Sequence, residues 1–453
     1  MLLKLVQKCF DMIGMRQGNP VRSFLRQVFL FFVYLWQCLL YYPQNIEISF
    51  VQHRYKRILR RLQAKASKNE KIAVGFYVIY DSIFAFRPLF EKMLQDDFFD
   101  PYIVIASDTF RGKINEIKRA KQAYESLVQK YGSERILLGF DYQNDTYSDL
   151  SDRFDIIAFS YPYDNWTHKF SKLEYLCHKN VLTIFTSYSY SVTRHTRHIY
   201  KLKFTNLIWR MFVENESILT EGKKYSRCQG NNLYAIGYVK MDDLPESIPH
   251  KQKTIIISPH YTVASYCKEY LQLSNFLQYA QFFQELPKKY PNIFFVFRPH
   301  PMLLDSLVRE NVWTKNEVDA YMQTLLSNEN MFFSDGGDYF DLFASSDGII
   351  NDCGSFTGEY MLTGKPGCFM LRNDDEIKVE FIEFGQRILE HYYKAYSEED
   401  IINYIDNVVL KGEDPLKEAR EAFVENEMKI NYKNVSNCII QYLKQQIQTD
   451  SSN

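Results

Sequence analysis

A chain of 453 residues exceeds what one hydrophobic core usually serves, so two domains with terminal extensions are expected. With 46% hydrophobic and 24% charged residues, the composition argues against a disordered, fibrous or polytopic membrane protein. The net charge of -1 supplies no global field to gather nucleic acid, and no nucleic-acid partner is expected. The eight cysteines (Cys9, Cys38, Cys177, Cys228, Cys267, Cys353, Cys368 and Cys438) contain no C-x-x-C pair. That spacing suggests reduced thiols rather than a zinc site or a disulfide framework.

The first notable segment is 28–40 (VFLFFVYLWQCLL), apolar, interrupted by Gln37 and preceded by Arg22 and Arg26. It falls short of the ~20 residues that a spanning helix needs, and Tyr-Tyr-Pro follows it where a signal peptide would have small residues. Two readings are open. One is a helix in the membrane interface, with Lys4, Arg22 and Arg26 toward headgroups and Phe31, Phe32 and Trp36 in the acyl boundary. The other is a helix packed on protein. A basic, helix-favouring linker then covers 54–71.

From Lys71 the pattern becomes short apolar runs alternating with charged, helix-like stretches. Runs at 72–80, 101–106, 135–139, 155–159, 181–185 and 233–237 read as strands, with helices at 86–96 and 113–130 between them. Around 243–250 the composition turns to proline and polar residues, which marks a hinge. Strands at 254–258, 293–297, 331–333, 348–350 and 367–371 follow, with helices at 268–289 and 303–327 and a helical tail from Ser397. The expected organisation is an N-terminal helical region 1–70, a Rossmann-like acceptor domain 71–245, a Rossmann-like donor domain 246–390 and C-terminal helices 391–453. Two doubly wound α/β halves with parallel sheets, facing a cleft at the carboxyl ends of their strands, make the GT-B architecture.

Three strand ends carry polar clusters. Arg298-Pro-His300-Pro301 follows the run 293–297; a guanidinium can pair with a diphosphate, and an imidazole can donate to a phosphate oxygen or protonate a leaving phosphate. Ser258-Pro-His260-Tyr-Thr repeats this arrangement one βα unit earlier, so His260 and His300 can approach one ligand, one as base and one as phosphate contact. The third cluster is Asn351-Asp352-Cys-Gly354-Ser355-Phe356-Thr357-Gly-Glu359, where small residues precede a helix N-terminus suited to phosphate. Ser355 and Thr357 add hydroxyls, and Glu359 can accept both hydroxyls of a ribose. In the first half, Tyr80-Asp-Ser, Tyr161-Pro-Tyr163 and Thr186-Ser-Tyr188-Ser-Tyr190 end strands with an aromatic, hydroxyl-rich lining suited to a polyol acceptor.

The ordered series Ser258-Pro-His260, Phe297-Arg-Pro-His300-Pro, Asp338-Tyr-Phe-Asp341-Leu-Phe-Ala-Ser-Ser-Asp347, Asn351-Asp-Cys-Gly-Ser-Phe, Glu359-Tyr and Lys365-Pro resembles the CDP-glycerol glycerophosphotransferase family of teichoic-acid and capsule synthesis. Gly237-Tyr-Val-Lys-Met-Asp242 is similar to the end of that family's first domain. The resemblance spans about 71–371. It implies a GT-B fold, attack of an acceptor hydroxyl on the β-phosphate of a CDP-polyol, and departure of CMP without an obligatory metal or other cofactor. It also implies His300 as a catalytic residue, a donor loop with Asp352, Ser355 and Glu359, and peripheral attachment at the inner membrane face of a cytoplasmic enzyme. The family's Trp-His-Gly motif is absent; Phe185-Thr-Ser-Tyr-Ser-Tyr stands in its place, which makes His260 the candidate general base. Asp-Cys-Gly-Ser replaces Asp-Tyr-Ser-Ser, and Val239 replaces a proline. The donor site is therefore expected from Arg298, Asp352, Gly354, Ser355, Phe356, Thr357 and Glu359, and the acceptor is expected to be a polysaccharide or lipid-linked. Two alternatives are a glycosyltransferase that uses a nucleotide sugar and a non-catalytic subunit of a capsule-assembly complex.

Overall fold

The computed structural model describes residues 20–263 and 271–448, and the chain divides into two units, Met1–Arg54 and Tyr55–Asn453. The described part of the first unit belongs to one helix, Pro20–Ala66, whose last residues lie in the second unit. The segment 28–40 falls inside this helix, whereas Lys4 and the side chains of Arg22, Arg26, Phe31, Phe32 and Trp36 lie outside the described residues. No described helix is long and apolar enough to cross a membrane.

In the second unit the short apolar runs form two parallel sheets. The first contains β1 (Ile72–Val78), β2 (Phe99–Ile105), β3 (Ile136–Leu138), β6 (Ile156–Phe159), β7 (Leu182–Thr186), β8 (Arg210–Val213) and β9 (Leu233–Ala235), in the order β3-β2-β1-β6-β7-β8-β9. A small antiparallel hairpin of β4 (Phe140–Asp141) and β5 (Thr146–Tyr147) follows β3. The second sheet contains β10 (Lys253–Ser258), β11 (Ile293–Phe297), β12 (Met331–Phe333), β13 (Gly348–Asn351), β14 (Gly367–Met370) and β15 (Tyr393–Ala395), in the order β12-β11-β10-β13-β14-β15. In both, the chain builds outward from the central strand and then returns to its other side. That reversal leaves a crevice beyond the carboxyl ends of β1 and β6, and of β10 and β13. Ile255, Ile257, Phe295, Phe297 and Ile350 line one core, closed by Phe276 and Phe283 of the helix Phe276–Lys289.

Several elements depart from expectation. β8 and β15 do not stand out in the sequence, because Arg-Met-Phe-Val opens on a charge and Tyr-Lys-Ala is too short and polar to read as a strand. The predicted helix 303–327 is two helices, Leu303–Arg309 and Lys315–Leu326, interrupted at Asn311 with its φ of 54° and restarted by a Thr314–Glu317 capping box. The supposed linker 54–71 is largely helix that packs on the first sheet: the Tyr55 hydroxyl lies 2.7 Å from Thr183 Oγ1, and Arg61 and Lys65 meet Asp155 at 3.1 and 2.5 Å. The last helix, Val435–Gln448, also returns to the first half, its first turn held by Asp242, which accepts the Ser436 amide at 2.7 Å.

Candidate functional site

Parallel register places the ends of three strands side by side, with Ile257 opposite both Phe297 and Ile350. The ladder runs on beyond the strands: the Arg298 amide donates to the Ile257 carbonyl and the His300 amide to the Pro259 carbonyl, each at 2.9 Å. These bonds bring the two predicted imidazoles together, with ring centroids 5.2 Å apart, and Tyr261 packs 4.5 Å from each.

The hydrogen bonds of the two rings fix their tautomers. His300 Nδ1 accepts the Met302 amide at 3.1 Å, so the proton of the neutral ring sits on Nε2. Thr262 Oγ1 accepts the Leu273 and Ser274 amides at 3.0 and 3.3 Å, which leaves its own proton for His260 Nδ1 at 2.9 Å. Burial drives the His300 pKa down to about 3 and that of His260 well below its usual value, and each ring has a further repulsive neighbour, Arg111 for His300 and His300 for His260. Both rings are therefore neutral near pH 7 and present Nε2–H donors. For His260 to serve as the expected general base at Nε2, the Thr262 hydroxyl would have to accept from Nδ1 instead of donating to it.

Arg298 is 6% exposed and donates to Ser334 Oγ at 2.6 Å and to the Gly337 carbonyl at 2.7 Å, with its guanidinium 5.1 Å from the Tyr339 ring centre. Glu359 is fully buried. Its Oε1 accepts the Tyr238 hydroxyl at 2.6 Å and the Lys240 ammonium at 3.2 Å, and its Oε2 accepts the Tyr339 hydroxyl. The carboxylate expected to take ribose hydroxyls is thus engaged with the protein, and two of its partners arrive from the end of the first sheet.

The loop 352–357 divides into supports and an accessible edge. Asp352 accepts the His260 amide at 2.5 Å and the Asn275 amide at 2.6 Å, and burial pushes its pKa up to about 8. Fully buried, it ties the His260 loop to the segment at Asn275. Thr357 is buried and spends its hydroxyl on Asn351 Oδ1 and the Cys353 carbonyl. Gly354 was expected to let a ligand approach, but a Cβ there would lie 2.4 Å from Thr193 Cγ2, and one at Gly358 would lie 2.7 Å from the Tyr190 ring. The small residues of this helix, Gly354–Met361, admit the 190–194 segment of the first half, which also donates from the Arg194 amide to the Glu380 carbonyl at 2.7 Å. Ser355 and Phe356 remain partly exposed at the helix start, the Phe356 ring 4.7 Å from Tyr339.

From the first sheet the structure adds Arg111, a residue that carries no motif in the sequence. It follows β2, donates to Asp108 at 3.0 Å and to the Tyr80 hydroxyl, and its guanidinium stands 5.3 and 5.7 Å from the Tyr80 and Trp166 ring centres. Its charge is felt at both His300 and Tyr188. The one signal for it is its position just past a strand end, as with Arg298. Of the predicted aromatic lining, Tyr161 and Tyr190 are core residues, while Tyr163 is partly exposed and sits 2.6 Å from His195 Nε2. Among the described residues, no group of three or more His, Cys, Asp or Glu side chains is placed to hold a metal ion.

No protein-family model matches the chain, and no curated protein matches it. Solved structures do. The wall teichoic acid polymerase TagF aligns with a TM-score of 0.52 at 13% identity, covering 90% of this chain and 98% of its own. A variant of TagF soaked with CDPG aligns at 0.50 and 14% identity, covering 96% and 98%. MnaA of S. aureus, in complex with UDP, aligns at 0.51 and 11% identity, covering 84% and 98%. The chain has their GT-B fold, as the alternation of strands and helices led one to expect. At such identities the likeness is one of fold.

Proposed function

We propose that this protein transfers a polyol phosphate, glycerol phosphate or ribitol phosphate, from a CDP-activated donor to a cell-surface polysaccharide or teichoic-acid-like acceptor, releasing CMP. The observation that carries the reading is the pair of neutral imidazoles at the ends of β10 and β11, both offering Nε2–H, with the charge of Arg111 from the other sheet felt at His300. Two donors and a cation suit the oxygens of a diphosphate, where negative charge develops as the bond to the leaving CMP breaks. In this reading residues 246–390 hold the donor, with Arg298, Ser355, Phe356 and Glu359 beside the imidazoles and Asp352, Gly354 and Thr357 as their supports. Residues 71–245 receive the acceptor along Tyr163 and Tyr188, and the proton of its hydroxyl goes to a group other than the two rings. The protein works in the cytoplasm at the inner face of the membrane, where residues 22–42 contact lipid.

TagF soaked with CDPG and MnaA bound to UDP, both of the same fold, support a nucleotide-activated donor. Incubation with CDP-glycerol or CDP-ribitol and acceptor should release CMP, and His300→Ala should lower turnover by about 10²-fold or more, as loss of a donor aimed at developing charge does. Full turnover in His300→Ala would sink the assignment. The UDP complex also favours a second reading, a nucleotide-sugar-dependent glycosyltransferase of capsule or lipopolysaccharide synthesis. Thermal-shift measurements with CDP-polyols against UDP- and CMP-sugars separate the two.

A further inference from the structure

Arg298 and Glu359, the two charged groups proposed to take the donor, are both covered by one short loop. Both protein acceptors described for the Arg298 guanidinium, Ser334 Oγ and the Gly337 carbonyl, lie on 334–339, and the Tyr339 ring packs over its face. The same Tyr339 donates its hydroxyl to Glu359 Oε2 and accepts the Lys240 ammonium, which with Tyr238 also holds Oε1. Tyr339 is 8% exposed, with Phe343 and Phe356 against its ring at 4.9 and 4.7 Å.

The loop turns on two glycines. Gly336 and Gly337 are consecutive left-handed residues, with φ of 71° and 69°, and no atom lies within 4 Å of where a Cβ would stand on either. Only their own backbone freedom requires glycine there, because no neighbour demands the space. The far end of the loop is pinned by Asp338, which accepts the Tyr339 and Phe340 amides at 2.7 and 3.1 Å and pairs with Arg87 at 2.8 Å. Displacing 334–337 thus frees the cation, and turning the Tyr339 side chain about its held backbone frees a carboxylate oxygen. A phosphate and a sugar hydroxyl on the same ligand match that pair.

We propose that the 334–339 loop is a gate on the donor site, with Gly336-Gly337 as hinge and Tyr339 as the bolt that a nucleoside diphosphate must displace to reach Arg298 and Glu359. The inference rests on the donor-site reading above. The ligand's apparent affinity is then its intrinsic affinity reduced by the fraction of molecules in which the loop is open. Weakening the closed form therefore raises affinity, whereas removing an ordinary wall of a binding site lowers it.

The test is calorimetric titration of the full chain with CDP. Tyr339→Phe keeps the ring and removes the hydroxyl's bonds to Glu359 and Lys240; CDP should bind about five-fold more tightly or more, since one ordinary hydrogen bond is worth about that factor. Gly336→Ala places a side chain on a left-handed backbone and penalises the closed loop, so it too should tighten binding, by a route that does not touch Glu359. Equal or weaker CDP binding in Tyr339→Phe overturns the gate and leaves the donor site standing; should that variant not fold, equal or weaker binding in Gly336→Ala overturns it instead. If neither the wild type nor either variant binds CDP, CMP or UDP, the donor-site reading falls and the gate falls with it.

Discussion

At His300 the amide of Met302, and at His260 the hydroxyl of Thr262, occupy Nδ1, and both rings are left as Nε2–H donors. Neither bond is visible as a motif, yet together they set what the residues can do. A pH profile tests the assignment. Since neither ring titrates near pH 6.5 in the native protein, kcat should show no ionisation there that disappears in His300→Gln, and finding one would overturn the donor role. Stability carries the same information. Unfolding returns each ring to about 6.5, whereas His300 is held near 3 in the fold. Between these values the unfolded chain binds more protons, so the stability is fully present above about pH 6.5 and falls as the pH drops toward 3. His300→Gln should flatten the dependence of Tm on pH over that window; an unchanged slope would show that the ring is solvated.

The elements that place these residues were legible to differing degrees. β10, β11 and β13 are apolar runs flanked by polar turns, and the sequence located them within a residue or so, together with the His260 and His300 loops at their ends. The helix Gly354–Met361 is legible as a small-residue element beginning after β13. Its purpose is not, because the partner that needs the small residues lies about 160 positions earlier, at Tyr190 and Thr193, and local pattern carries no trace of a long-range contact. The engagement of Glu359 by Tyr238, Lys240 and Tyr339 is hidden for the same reason. Gly358→Ala tests the contact directly. In a helix interior this change normally stabilises by about 1 kcal/mol. Here the new methyl would meet the Tyr190 ring at 2.7 Å, so the expected outcome is a net loss of about 1–3 kcal/mol, as for overpacking, read by thermal or denaturant unfolding. A gain in stability would show that 190–194 does not pack on this helix.

Across the whole molecule, two sheets that each reverse direction beside a central strand bring chemically different edges to one place. The second sheet offers neutral donors from His260 and His300 together with Arg298; the first offers Arg111, held by Asp108 and Tyr80. Doubly wound order was readable from the alternation of strands and helices, but which first-sheet residue would meet His300 depends on how the halves close, and that is written in contacts such as Lys240–Glu359 and Arg194–Glu380. In the proposed chemistry, the cation from the first sheet is needed for the donor. Arg111→Gln removes the charge while keeping much of the side chain. A charged hydrogen bond to phosphate contributes about 1.5–3 kcal/mol, so kcat/KM for CMP release should fall about 10- to 100-fold. Arg111→Lys should recover part of the loss, because an ammonium keeps the charge and gives up the planar fork. Its partner Asp108 is only 1% exposed, so Arg111→Gln should also lower Tm, whereas Arg111→Lys, which keeps the charge, should change it little. Wild-type kcat/KM in Arg111→Gln would place the donor's phosphates on the second sheet alone and would leave the first sheet with the acceptor only.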